Sequence, residues 1–533
     1  MTNERVYKLF RFISDGGVWE DASVFLFYRV FNSEIYTNKM KIVIERIDNK
    51  TYSFAQSDKD GIRKIAKALT FPNPNPISKR RNIEFFDKNK LTFRLGMITT
   101  VRKFLDDIGV DYDLIDYQYP EVSVEIDDRM TGRYVHQANA VRAFFRRRFG
   151  IIVVPTRGGK TFIASEICRI FLQTNPEGQF LFCVDNTILF NQAVEDFKKF
   201  FERYGGIEIG EIRAGRVDTS RRVTVAMIQT LQRSISTSAR DKAKKRQIQK
   251  FLKNLKFLCV DEIHDNCSDS KLKLYRKCVN LDYQLCLSAT PYRSGATLEN
   301  LKLQAWSGDI VYSISEKTLR DRGVLSDYRV FELVVDHNDI PYDDLIIDDY
   351  ADLRKKLIFY SDVRNKYIVR VIEILKMLKL KSLLLFQSIE HGQLISDITE
   401  LPFISGKDKD EIRERRKREL LDNPEGGILL ASDIFKKGVT LPAVQVLLVC
   451  DNNKETAITV QRKGRVLGAT ADKSRSLIID FIDMFDVYFS THSESRLNTY
   501  VEAVGEEKIG ILDTSVEDCF DVLESWIKKW FKI

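Results

Sequence analysis

Several features are missing from this 533-residue chain, and each absence removes a class of function. No uninterrupted apolar stretch approaches the roughly 20 residues that span a bilayer, and the opening MTNERVYKLF lacks the apolar core of a secretory signal. A cytosolic setting is therefore expected. The eight cysteines form no CxxC pair, and no His/Cys cluster has zinc-ligand spacing, so reduced core thiols are expected rather than a metal site or a disulfide framework. A large excess of one charge is also lacking. The 84 Lys and Arg face 76 Asp and Glu, and a net charge of +8 says little by itself about an anionic partner. Neither a short repeat nor a nuclease motif is visible.

What is present is ordinary in amount and informative in order. With 44% hydrophobic and 30% charged residues the chain has a soluble protein's composition, and its length calls for several cores. Residues 1 to 38 mix polar and aromatic side chains without a clear period and receive no assignment. From Lys41, KIVIERI alternates like a strand, Asp48-Asn49 makes a turn, and Thr51 to Ala55 returns as its partner. Lys59 to Leu69 reads as a helix. The PNPNP run at Pro72 to Pro76 reads as a loop, because proline lacks the N–H that helix and ladder require. NIEFF and KLTFRL predict a second hairpin around Asn89, and Met97 to Ile108 a second helix, giving a small α+β unit over residues 39–122.

From about Ile151 short apolar runs alternate with helical segments, as buried parallel strands do in an α/β sheet. IIVV, FLFCV, VTVAM, FLCV and QLCLS form one series. SLLLF, ILLA, VLLVC and LIID form another, beyond an acidic segment at His337 to Asp349. Two doubly wound sheets are expected, over 123–325 and 326–505, followed by a tail at 506–533 whose Trp526 and Trp530 pack on the second.

After IIVV comes PTRGGKT, Pro155 to Thr161, and then a helix whose Ile163, Ile167, Ile170 and Phe171 share a face. A strand leading through a glycine turn into a helix offers backbone N–H groups and a positive helix end to a phosphate. In that reading Thr156, Gly158 and Gly159 shape the cradle, Lys160 reaches the β- and γ-phosphates of ATP, and the Thr161 hydroxyl holds Mg²⁺. Val154 departs from the general GxxxxGK[ST] pattern at its first glycine, and a chance GGKT is the competing reading. FLCVDEIH, Phe257 to His264, ends a buried strand with two carboxylates. Asp261 suits the Mg²⁺ shell, and Glu262 suits orienting and deprotonating the attacking water, against the alternative of a surface turn.

With DEIH close to a DEAH-type box and LSATP at Leu287 to Pro291, the chain resembles the superfamily 2 helicases from Gly132 to about Asp483. The resemblance implies two RecA-like domains sharing one ATP site. It implies that Gln137, in GRYVHQANAV, binds the adenine edge. It also implies nucleic-acid contacts from Asn186, Thr187 and Gln192 in DNTILFNQAVEDF, from Gln229 and Thr230 in VAMIQTL, and from Ser388 and Ser432 in the second domain. Such side chains are also ordinary caps and amphipathic positions. LLASDIFKKGVTLPAV contributes Gly438 to the nucleotide site, with Thr440 at a position where Asp is common. QRKGRVLG resembles the motif whose arginines cross the cleft to the γ-phosphate, which implies roles for Gln461, Arg462 and Arg465. Two departures stand out: Gly468 occupies the second arginine position, and Arg157 stands where these helicases usually have glycine. Arg462, Lys473 or Arg475 could fill the gap, or Arg465 could act alone.

Lys41 to Asp116 also resembles the amino-terminal domain of phage UvsW-type helicases. The likeness is carried by the order hairpin, helix, hairpin, helix and by RNIEFFDKNKLTFRLGMITTVRKFLDDIG. It implies remodelling of branched DNA (forks, D-loops and R-loops) in recombination or repair, with RNA met in R-loops, within a bacterial host cytoplasm. Between Lys59 and Lys103, twelve basic residues including Arg63, Lys67, Arg81, Lys88, Lys90 and Arg102 face only Asp60, Glu84 and Asp87. That balance suits a duplex backbone, or simply a solvated face. The basic run Arg240 to Lys256 carries the same two readings. An RNA helicase, a restriction-type motor and an ATP-binding clamp with weak turnover are the alternatives.

Overall fold

The computed structural model describes residues 42–48, 51–55, 59–73, 81–116, 125–235, 242–292, 296–335, 350–432, 441, 443–452, 475–484 and 486–533. The unassigned residues 1 to 38 and the acidic segment His337 to Asp349 lie outside the described residues.

In the first unit, β1 (Ile42–Asp48) and β2 (Thr51–Ala55) form the expected hairpin, with Ile44 opposite Phe54. Alternation sends Ile42, Ile44, Tyr52 and Phe54 inward. The helices are α1 (Lys59–Ala68) and α2 (Ile98–Asp107). The second hairpin forms around Asn89, but only the end of NIEFF belongs to it, because NIEFF divides between two sheets. β3 (Thr70–Pro72) pairs with β4 (Asn82–Glu84), while β5 (Phe86–Asp87) pairs antiparallel with β6 (Thr92–Arg94), which in turn joins β2. Pro72 is thus the end of a short two-stranded ribbon, a place where its missing N–H costs nothing. A strand not anticipated, β7 (Tyr112–Ile115), lies parallel to β1 and completes the order β5-β6-β2-β1-β7. Its core is shared with the next domain: Leu301 and Ala305 pack with Val101, Phe104 and Leu105.

The first RecA-like sheet has the order β11-β10-β12-β9-β13-β14-β8-β15 among the described residues. Its strands are β8 (Phe149–Val153), β9 (Phe180–Val184), β10 (Ile209–Arg213), β11 (Arg216–Val217), β12 (Val223–Met227), β13 (Phe257–Val260), β14 (Tyr283–Ser288) and β15 (Ile310–Ser313). All pairings are parallel except β10 with β11. The helices used below are α3 (Val135–Arg147), α4 (Lys160–Thr174), α5 (Thr187–Glu202), α6 (Ile228–Ile235), α7 (Lys242–Asn254), α8 (Asp269–Tyr275), α9 (Thr297–Ser307) and α10 (Glu316–Asp321). One face of the sheet is filled by an aromatic cluster with Phe144, Phe171, Phe180, Phe182, Phe197 and Phe257.

The second sheet runs β18-β19-β17-β20-β21-β16-β22, parallel throughout. It comprises β16 (Asp327–Val335), β17 (Lys381–Phe386), β18 (Phe403–Ile404), β19 (Gly427–Ser432), β20 (Val446–Val449), β21 (Arg475–Asp483) and β22 (Ile509–Asp513). β16 was not among the expected runs because Glu332 interrupts its apolar pattern. That carboxyl is buried, and burial together with the neighbouring Asp480 pushes its pKa well up, so it sits in the core in its neutral form. Within 506–533, β22 is an edge strand on β16, and α11 (Cys519–Phe531) buries Leu523 and Ile527 in the second core. Trp526 and Trp530 are partly buried there, with Trp530 Nε1 donating to the Ser476 carbonyl at 2.7 Å.

Candidate nucleotide site and nucleic-acid face

Parallel register brings the motif segments to one edge. Val153 is level with Ser288, Val260 with Cys183 and Cys286, and Val184 with Met227. The loops after β8, β13, β14, β9 and β12 therefore leave the sheet at its carboxyl edge, where open α/β sheets take ligands.

The glycine loop after β8, the candidate phosphate loop, is held from below by α3. His136 Nε2 donates to the Gly158 carbonyl at 2.8 Å, and Gln137 Nε2 donates to the same oxygen at 3.3 Å. Gly159 caps α4 with φ 93°, a conformation that favours glycine, and a Cβ there would lie 2.2 Å from Gln137 Nε2 and displace that side chain. Lys160 opens α4, with Thr161 partly exposed in the first turn and Thr156 partly buried before it. His136 was not singled out from the sequence; its place beside Gln137 in an amphipathic helix gives no local sign of this contact.

Opposite the loop, Lys160 Nζ lies 3.0 Å from Glu262 Oε1. Asp261 ends β13, and its Oδ1 accepts from the Glu262 N–H at 3.0 Å. Glu262 itself has φ 44°, a left-handed conformation that costs a residue with a Cβ about 1–2 kcal/mol. Burial, and then the charge of Glu262, push the Asp261 carboxyl up, with Lys160 opposing. Burial acts the same way on Glu262, but Lys160 and His264 outweigh it and hold that carboxyl below its ordinary value. Asp261 is thus a half-buried carboxylate short of positive charge, the property of a cation ligand, whereas Glu262 is ionised.

A second layer fixes this pair. His264 Nδ1 lies 2.9 Å from Ser288 Oγ, and Ser288 Oγ accepts from the Thr290 N–H at 3.0 Å, so DEIH and LSATP are joined through one hydroxyl. Asn266 donates to the Asp261 carbonyl at 2.8 Å, and Lys271 Nζ bridges Asn266 Oδ1 at 2.6 Å to Asp185 at 3.1 Å. Asn266 and Lys271 carry no motif signal, and only the fold brings them here.

The candidate nucleic-acid residues share the same edge. Asn186 caps α5, its Oδ1 accepting from the Leu189 N–H, and Thr187 is exposed beside it with Gln192 partly buried one turn on. Gln229 is exposed at the start of α6 and donates to the Asp185 carbonyl, linking the loops after β9 and β12; Thr230 follows it. In the second domain Ser388 caps the helix Ile389–Thr399, and Ser432 is buried at the end of β19. Gly438, Thr440, Gln461, Arg462, Arg465, Gly468 and Lys473 lie outside the described residues. Arg475 is engaged elsewhere: it donates to the Trp530 carbonyl at 2.5 Å and lies 5.1 Å over that ring.

Among the described residues no His, Cys, Asp or Glu group of three or more could hold a metal ion, and no helix is long and apolar enough to cross a membrane. Residues 130–293 match the family described as Type III restriction enzyme, res subunit, and residues 364–469 match the helicase conserved C-terminal domain. The chain is 26% identical over 418 residues to the DNA 3'-5' translocase XPB2 of Sulfurisphaera tokodaii, covering 71% of this chain and 87% of that protein. It is 24% identical over 369 residues to the protein called helicase 22 of the Sulfolobus islandicus filamentous virus, covering 66% of this chain and 63% of that one, so it spans less than two thirds of that relative's length. The crystal structure of T4 UvsW is matched at 19% identity and a TM-score of 0.42, over 89% of this chain and all of that one. Two RecA-like sheets in tandem, the first matched by the res-subunit family and the second by the helicase conserved C-terminal domain in the order the motifs predict, place the chain in the superfamily 2 helicases.

Proposed function

We propose that the protein is an ATP-driven translocase that remodels branched DNA, and that Lys160, Thr161, Asp261 and Glu262 form the hydrolytic half of its nucleotide site. The observation carrying the site is the Lys160–Glu262 pair at 3.0 Å beside half-buried Asp261. These residues fit Mg²⁺ and ATP: a glycine-capped helix start, a lysine, and a half-buried carboxylate short of positive charge. Mg²⁺, when bound, neutralises charge on the phosphates. Thr161 and Asp261 would hold it. Gln137, already against the loop, faces the nucleotide, and Thr156, Gly158 and Gly159 line the phosphates.

In the structure Lys160 neutralises Glu262. When Lys160 turns to a phosphate, Glu262 loses the contact that depresses its pKa and becomes a stronger base, ready to take the proton of the attacking water. Hydrolysis is thereby tied to nucleotide arrival. The link from His264 to Ser288 carries the state of this pair into the segment after β14, and Gln229 and Lys271 join the same framework to the loops offered to nucleic acid. Gln461, Arg462, Arg465 and Gly438 complete the site from the second domain in this reading.

Branched DNA, and R-loops with their RNA strand, are favoured by the first α+β unit. It packs on α9 of the ATPase domain and presents exposed Arg63, Lys67, Arg81, Lys88, Lys90 and Arg102. The test is ATP hydrolysis and strand separation measured side by side on forked DNA, blunt duplex, R-loops and RNA duplex. Stimulation and unwinding should be greatest on the fork and R-loop. Lys160→Ala should abolish hydrolysis, and Glu262→Gln should lower it at least about a hundredfold while sparing ATP binding. Action on RNA duplex without action on branched DNA would replace this reading by an RNA helicase. Binding of ATP with no stimulated hydrolysis would replace it by a clamp.

A further inference from the structure

Arg157 is the residue of the phosphate loop that the machinery above leaves unused. Its φ is 69°, in the left-handed region, where glycine is free of strain and a residue with a Cβ is not. Its Nη2 is shielded from solvent and has no hydrogen-bond partner among the described residues. Burial pulls its pKa down to about 10, with no carboxylate acting on it in the opposite direction. Lys160, three residues on, has Glu262 as counter-charge; Arg157 has none among the described residues. On a strained backbone sits a desolvated, unmatched guanidinium, whose charge an incoming anion would compensate.

We propose that Arg157 is a phosphate-binding residue of the nucleotide site, its planar fork closing on oxygens of the ATP phosphate tail. The inference rests on the preceding reading of the loop as the nucleotide site. Phosphate suits the group because guanidinium N–H pairs match two oxygens at once, and a neutral ligand would leave the charge uncompensated. A nucleic-acid phosphate is disfavoured by the sheet order. The loop follows β8, while the nucleic-acid candidates follow β9 and β12; β13 and β14 intervene between β8 and β9. Three strand spacings separate them, about 14 Å.

The experiment is calorimetric titration of the full chain, in Mg²⁺, with a non-hydrolysable ATP analogue carrying a β,γ-imido bridge. Wild type, Arg157→Gly, Arg157→Lys and Lys160→Ala are compared, each with a thermal melt. Arg157→Gly removes the backbone strain, so its melting temperature should equal or exceed wild type. Its analogue affinity should nevertheless fall by about tenfold, equivalent to about 1.4 kcal/mol, and Arg157→Lys should retain more affinity than Arg157→Gly. A loss of less than threefold in Arg157→Gly overturns the proposal. If Lys160→Ala loses binding while Arg157→Gly does not, only this inference fails. If Lys160→Ala also binds as wild type, the reading of the loop fails with it.

Discussion

Around the nucleotide site single residues hold positions that their own chemistry disfavours. Glu262 and Arg157 adopt left-handed backbone, and Asp261 is half-buried and short of positive charge. In the proposed reading Arg157 brings a guanidinium to the phosphates from within the first domain, where Gly468 leaves none at the position expected across the cleft. Away from the site, Asp196 on α5 offers a simpler measurement. Burial, and then Glu195, push its carboxyl up to about 6, with Lys199 opposing. The folded state therefore binds this proton more tightly than the unfolded chain does. Its stabilising contribution is complete below pH ~4 and lost as the pH rises through about 6. Asp196→Asn should stabilise the protein at pH 7.5 by about 1–2 kcal/mol, partial exposure moderating the effect, and change little at pH 4. Thermal melts at the two pH values check this; an equal change at both would show that ionisation is not the cause.

At the scale of elements, the docking of the first α+β unit depends on Gly96. A Cβ there would lie 1.7 Å from the Gln304 carbonyl oxygen on α9 and 3.0 Å from Gly308 Cα, both main-chain atoms that cannot step aside. Thr99 Oγ donates to Asp309 at 2.7 Å across the same boundary. Gly96→Ala should cost about 1–3 kcal/mol and lower the denaturant midpoint of the small unit first. Unchanged denaturation would refute the shared core. The sequence made the first hairpin and both helices of this unit legible, because turn residues and apolar periods are local. It hid the division of NIEFF, since pairing β4 with β3 and β5 with β6 is decided by partners elsewhere in the chain.

Across the whole molecule, the carboxyl-terminal segment closes the second domain. β22 pairs along β16, Trp526 lies 5.2 Å from Phe331, and Arg475 and Trp530 tie α11 to β21. Ending the chain at Gly505 would expose the edge of β16 and remove buried Leu523 and Ile527, each worth about 1.5–3 kcal/mol. The shortened protein should aggregate, or melt at least several degrees lower, in a thermal scan followed by light scattering. A truncated chain that stays soluble and melts with the full one would contradict the assignment of this segment to the fold.

From the sequence alone came the fold class, the order of the motifs and the proposed roles of Lys160, Thr161, Asp261 and Glu262. A strand, a glycine turn and a helix start are specified by neighbours in the chain, and phosphate chemistry restricts the residue types. The tertiary structure decided which groups meet: Lys160 with Glu262, His264 with Ser288, His136 and Gln137 with the Gly158 carbonyl. It also decided that Arg157 has no counter-charge among the described residues and that the last 25 residues or so belong to a sheet begun at Asp327. Those outcomes depend on burial and on contacts between distant segments, which no local pattern encodes.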